Sequence, residues 1–159
     1  MGVAWDQAAI AGNPAVVAAS PRGIEFTAGV NATAFAAAGA PTYSELIAME
    51  SAIYGSNVDL GTNAKWITTP AQFGLTKSLA TNGAGSPVAS VDGRVDGYEV
   101  TASTWVLGDF SREFLVATWG GLEVIADSSA LALQGGLRIV ALSSVDFGVK
   151  HPLAFCVSV

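Results

Sequence analysis

GDFSREFLVATWGGLEVIAD fills residues 108–127 and GGLRIVALSSVDFGVKHPLAF fills residues 135–155. Within them Glu113–Thr118, Leu122–Ala126 and Leu137–Leu142 are short runs rich in Val, Ile, Leu and Phe. Glycine pairs at Gly120–Gly121 and Gly135–Gly136 separate them. Apolar runs bounded by glycines predict strands joined by turns. A last strand is predicted over Ala154–Val159, after His151-Pro152, because proline forbids a helix from running through that point.

Working outward, the half of the chain before these strands is predicted to hold the helices. Trp5–Ala11 can form a helical turn or two, ended by Gly12-Asn13-Pro14, with irregular or extended chain to Ala40. Thr42 and Glu45 have the spacing of a capping box, in which each side chain satisfies the other's backbone amide. Tyr43, Leu46, Ile47, Ile53 and Tyr54 then fall largely on one helical face, and Gly55 is a fitting stop. Lys65–Thr68 reads as a short strand. Thr69-Pro70 opens a second helix running to about Ala80. Thr81–Pro87 reads as a loop, and Val88–Thr104 as one or two strands turning at Asp92-Gly93 or Asp96-Gly97. The fold class is α+β: a mixed sheet with flanking helices plus long curved antiparallel strands.

Composition points to shared surfaces. The chain has 159 residues, of which 51% are hydrophobic and only 13% charged, against roughly 25% charged in an ordinary soluble domain. A chain so short of charge has difficulty covering its own exterior, so extensive subunit contact is the natural explanation, the alternative being an Ala- and Gly-rich monomer with a neutral polar surface of Ser, Thr and Asn. Net charge is −6 and the seven Lys and Arg are scattered singly. Nucleic-acid binders need clustered positive charge, which is missing here. No run of the sequence approaches the ~20 apolar residues of a membrane span, and no basic N-terminal region marks a signal peptide. The single Cys156 lies in an apolar run and reads as a small buried hydrophobe.

Chemistry finds little to stand on, and the chain reads as no enzyme, with no catalytic, cofactor-binding or metal residues. The one histidine, His151, lies between Lys150 and Pro152, with only Asp146 near it in sequence as an orienting partner. No Gly-x-Ser-x-Gly elbow is present, and one Cys and one His do not make a zinc site. Gly83-Ala-Gly85 lacks the third glycine of a dinucleotide loop. Asp92 and Asp96 flank Arg94 with Glu99 beyond; a solvated turn accounts for them better than a carboxylate pair or calcium site. Trp105 and Trp119 bracket the Gly108–Ser111 turn and are expected to fill a core or a seam between domains.

Five phrases resemble, in order, segments of tailed-phage major capsid proteins with the HK-ninety-seven-type shell fold. They are Trp5-Asp-Gln-Ala-Ala-Ile-Ala-Gly12 with Pro21-Arg-Gly-Ile24, Thr42-Tyr-Ser-Glu-Leu-Ile47, Ala64-Lys-Trp-Ile-Thr-Thr-Pro70, Gly97-Tyr-Glu-Val-Thr101, and the closing Val145–Phe155 phrase. Tyr98 stands where the family usually has proline. The resemblance implies a peripheral-domain segment at 1–24, an axial domain at 25–119, and peripheral-domain strands at 120–159. It implies a structural subunit, self-assembling into hexamers and pentamers of an icosahedral shell enclosing double-stranded DNA without sequence-specific binding. The implied location is the virion capsid, with the host cytoplasm during assembly. The implied partner is the chain itself, with no cofactor; scaffold or protease partners stay open.

The family's N-terminal arm, hairpin loop and spine helix have no counterpart in these residues, so the chain is expected not to build closed shells alone. One branch of the family cross-links subunits through Lys and Asn. Every asparagine here precedes the peripheral strands, so no such cross-link is expected. The loop Asp127–Gly136 is implied to face three-fold contacts, with Leu131 and Leu133 as interface residues. Two rivals stand beside this reading. One is an encapsulin-type compartment, which shares the fold and holds enzymes. The other is a small ligand-binding or hydrolytic domain using the Trp105–Trp119 region.

Overall fold

The computed structural model describes residues 2–37, 40–61, 63–77, 94–95, 98–101, 105–127, 129 and 134–159; for 2–4, 94–95 and 98–101 only the backbone is described. Three helices and eight strands follow one another along these residues: α1 (Gly2–Ala11), β1 (Asn31–Thr33), α2 (Tyr43–Gly55), β2 (Lys65–Ile67), α3 (Pro70–Thr76), β3 (Arg94–Val95), β4 (Tyr98–Thr101), β5 (Val106–Gly108), β6 (Phe114–Asp127), β7 (Arg138–Val149) and β8 (Phe155–Ser158). Six short strands form a mixed sheet in the order β1-β8-β5-β2-β4-β3, while β6 and β7 form a separate antiparallel ribbon. In the sheet, β1–β8 and β2–β4 run parallel and the remaining neighbours antiparallel. The α+β reading with a mixed sheet and flanking helices matches this architecture.

The caps form as the sequence dictates. The Thr42 and Ala36 amides donate to the Glu45 carboxylate, each at 2.6 Å, and the Glu45 amide donates to the Thr42 hydroxyl at 3.4 Å. The capping box therefore also ties the segment after β1 to the first turn of α2. The Gln72 amide donates to Thr69 Oγ1, with Pro70 at the first helical position of α3.

Two details of α2 differ from expectation. The buried face is Leu46, Met49 and Ile53, whereas Ile47 and Tyr54 are exposed. Spacing of three and four residues selects Met49, which an aromatic-weighted reading passes over. The helix also includes Gly55; it is Asn57 that takes the left-handed turn, at φ 60°, with its amide bonded to the Tyr54 carbonyl. α3 ends at Thr76, and the Ala80 end expected for it lies outside the described residues.

Two buried clusters meet at the sheet. On one side α2 lays Leu46, Met49 and Ile53 against Trp66, Trp105 and Leu107. Trp66 and Trp105 pack edge to face with centroids 5.6 Å apart, the arrangement the indole quadrupole favours. On the other side Ile10 of α1 and Ile24 pack with Val106, Ala154, Phe155 and Val157. Cys156 is buried, as its apolar surroundings predict, and burial pushes its thiol up, partly offset by a hydrogen bond with Thr33.

The largest departure is in the ribbon. Thr118 and Leu122 do not end and begin separate strands: β6 runs unbroken from Phe114 to Asp127, and β7 extends past Leu142 to Val149. The Gly120–Gly121 pair makes a bulge instead of a turn. The register jumps from Trp119↔Ser144 to Glu123↔Leu142, with Gly120 at φ 73°, and glycine takes that backbone conformation at no steric cost.

Candidate assembly surface

The β6–β7 ribbon is where the chain is least self-sufficient. Alternation along each strand sorts its side chains onto two faces. One carries Val116 and Val124 from β6 with Phe147, Val145 and Ile139 from β7. The other carries Leu115, Trp119, Ile125 and Leu142, with Glu123, Asp146 and the opposed pair Asp127 and Arg138 as its charges. Strands apolar on both faces are normally covered on both. Here Trp119 is 60% exposed and Ile139 66%, and Leu115, Val116, Leu122, Val124 and Leu142 are also exposed. Among the described residues neither edge of this two-stranded ribbon pairs with a further strand, and such a unit is marginal unless another element packs on it.

The N-terminal segment covers only part of the ribbon. Trp5 of α1 stands beside Thr118, Gly120–Leu122 and Ser143, and residues 18–21 run past Trp119 and Ser143–Asp146. Between that segment and β7 lies an open groove of about 590 Å³. Gly120 and Gly121 line the hollow beside Trp5, so the glycines that kink β6 also shape the exposed surface.

Each residue singled out in the sequence has a place. Trp105 is fully buried in the sheet core, as expected, but Trp119 is exposed on the ribbon. The pair therefore forms no shared platform, and it is the ribbon's length that takes Trp119 away from the core. His151 does not turn to Asp146, whose carboxylate accepts from the Phe147 amide. Its Nδ1 lies 2.5 Å from Glu113 Oε2 instead, a partner that only strand pairing could reveal. Among the described residues no group of three His, Cys, Asp or Glu could hold a metal, and no helix is long and apolar enough to cross a membrane. Asp92, Asp96, Leu131 and Leu133 lie outside the described residues, and for Arg94 and Glu99 only strand pairing is described. At the ribbon tip Asp127 accepts from the amide and hydroxyl of Ser129.

The model of the phage capsid family matches residues 1–159. The chain belongs to the phage capsid family. That family is structural rather than enzymatic, and its members associate with copies of themselves in virion shells. The major capsid protein of Halomonas phage phiHAP-1 is 27% identical over 123 residues, 73% of this chain and 20% of that protein. The capsid of the empty GTA particle matches with a TM-score of 0.71 at 18% identity, covering 98% of this chain and 60% of that one. The virus-like particle from Pyrococcus furiosus matches at 0.67 and 11% identity, covering 99% and 63%. Mycobacterium phage Che8 matches at 0.55 and 16%, covering 80% and 53%. The capsid-family member thus spans a fifth of that curated relative and about three fifths of the first two solved chains, whose likeness establishes the tailed-phage capsid-type fold.

Proposed function

We propose that this chain is the shell-forming part of a major capsid protein, whose copies meet in hexamers and pentamers of an icosahedral shell. The observation that carries the reading is the ribbon, apolar on both faces and only partly covered. A residue like Trp119 or Ile139 contributes about 1.5–3 kcal/mol when fully buried, so neighbouring shell elements have much to gain by covering this surface. Closed rings follow when the rotation between identical subunits closes. Residues 25–119 act as the axial domain around the symmetry axes, and residues 1–24 with 120–159 as the peripheral domain. The cargo is double-stranded DNA: a chain of net charge −6 lines a wall from which packaged DNA slides free. Assembly takes place in the host cytoplasm.

Leu131 and Leu133 supply apolar contacts at the three-fold positions. Changing either to Asp weakens contacts between capsomers without unfolding the subunit; loss of folding cooperativity would place them in a core instead. No Lys–Asn cross-link passes through this chain, and an isopeptide ladder mapped to it by mass spectrometry would contradict that. Sedimentation across a wide concentration range, with negative-stain images of the fastest fraction, tests the whole reading. Rings of five or six subunits are the expected result. A strict monomer at every concentration would overturn the claim that the ribbon carries subunit contacts.

A further inference from the structure

The sheet and the ribbon are joined by two crossovers that run side by side. The β5–β8 ladder ends at Gly108↔Phe155 and pairing resumes at Phe114↔Val149. In between, each crossover mostly bonds to itself. The Asp109 carboxylate accepts from the amides of Ser111 and Arg112 and from the Ser111 hydroxyl, and the Glu113 amide donates to the Asp109 carbonyl. Opposite, the Ala154 amide donates to the His151 carbonyl in a 3-10 turn.

Hydrogen bonds from one crossover to the other gather at the ribbon end alone. The Lys150 amide donates to the Glu113 carbonyl at 2.9 Å, Lys150 Nζ to the Arg112 carbonyl at 3.2 Å, and His151 Nδ1 meets Glu113 Oε2 at 2.5 Å. Only the last joins two side chains across the gap. Arg112 is engaged elsewhere, 3.9 Å from Asp109 and donating to the Asn63 amide oxygen in the orientation that satisfies both.

Beneath these bonds Phe110 packs edge to face on Phe155 and on Phe114, at 5.3 and 6.3 Å. Beside Phe110 and Phe114 lies a half-open cleft of about 210 Å³, flanked by Ile10 of α1, Ile24 and Ile67. An interrupted ladder over a small aromatic cluster, with empty space next to it, has the ingredients of a pivot.

We propose that residues 109–113 and 150–154 form a hinge between sheet and ribbon, and that the Glu113–His151 contact latches it in the orientation described here. His151 is thus a positioning residue, acting on the ribbon's angle through Glu113. The inference concerns the single chain and does not depend on shell assembly.

Spin labels at Ser51→Cys on α2 and Ser144→Cys on β7, both exposed positions, report the angle as a distance. With His151 intact one narrow distance is expected. His151→Ala should broaden or shift it, and His151→Asn, whose amide nitrogen can take the place of Nδ1, should restore it. An unchanged distribution in His151→Ala, or no rescue by His151→Asn, overturns the latch. Should His151→Ala fail to fold, amide exchange on the unaltered chain decides. The Lys150 amide should exchange well before the β5–β8 amides; equal protection would mean that no hinge opens there.

Discussion

Gly108 tests whether the sheet is packed as tightly as its geometry implies. It ends β5 opposite Phe155, and a methyl group added there would sit inside the Phe155 ring, with Cε1 at 2.7 Å and the Ala154 carbonyl oxygen at 3.0 Å. Phe155 is fully buried and held against Phe110, so the ring cannot turn aside at no cost. Overpacking of this kind destabilises by about 1–3 kcal/mol, which in a chain of this size lowers Tm by roughly 2–4 °C per kcal/mol. The companion change Phe155→Ala removes the clashing ring atoms and leaves a void, itself destabilising. The double variant should be less destabilised than the sum of the two, by about 1 kcal/mol. Recovery should stay incomplete, because the Ala154 carbonyl belongs to the backbone and cannot give way. Urea unfolding of the four proteins, with m held constant, measures the coupling. Strict additivity, or a neutral Gly108→Ala, would refute the close approach of Phe155 to β5.

Other expectations follow from single contacts. The Glu45 carboxyl is held below the usual carboxylate range by the Thr42 amide, then the Ala36 amide, then the Thr42 hydroxyl. A carboxyl lowered on folding stabilises above the ordinary glutamate range and loses that contribution as the pH falls through its folded value. Glu45→Gln should therefore cost stability at neutral pH and progressively less in acid, read as urea midpoints in a pH series. Removing the cap itself with Thr42→Ala should cost about 0.5–2 kcal/mol in the same assay. Because the thiolate is the reactive form, Cys156 should resist a thiol reagent in the folded chain, its labelling rate following unfolding as urea is raised. Trp119→Ser should change subunit stability by no more than about 0.5 kcal/mol, as exposed positions do, yet reduce association in sedimentation.

Local chemistry was the most legible part of this sequence. The Thr42–Glu45 box, the Thr69-Pro70 start and the apolar run around Cys156 each depend on neighbours in sequence, and each forms as read. Gly120–Gly121 reads as a turn in sequence and forms a bulge in the fold, because a glycine pair permits either. The choice is made by β7, whose residues on both sides of Ser143 hold β6 in line. Glu113 as the partner of His151 was invisible for the same reason, since 38 residues separate them and only the β6–β7 register brings them together. The assembly surface was half legible. A shortage of charge announced that apolar area would be left over, but which strands carry it depends on what α1 and α2 cover.

The place of β8 in the sheet sets an order on folding. Among the described strands it comes latest in sequence yet lies between β1 and β5, and Asn31 reaches across 122 and 124 positions to the carbonyls of Leu153 and Phe155. During synthesis the helices and the ribbon leave the ribosome while β1 still has no strand to pair with. Loops of that length close slowly, so a chain stopped short of Phe155 carries two open sheet edges beside an uncovered ribbon. Quality control at translation would meet such a chain as a sticky intermediate, and it is the four residues Phe155–Ser158 that close the gap between β1 and β5.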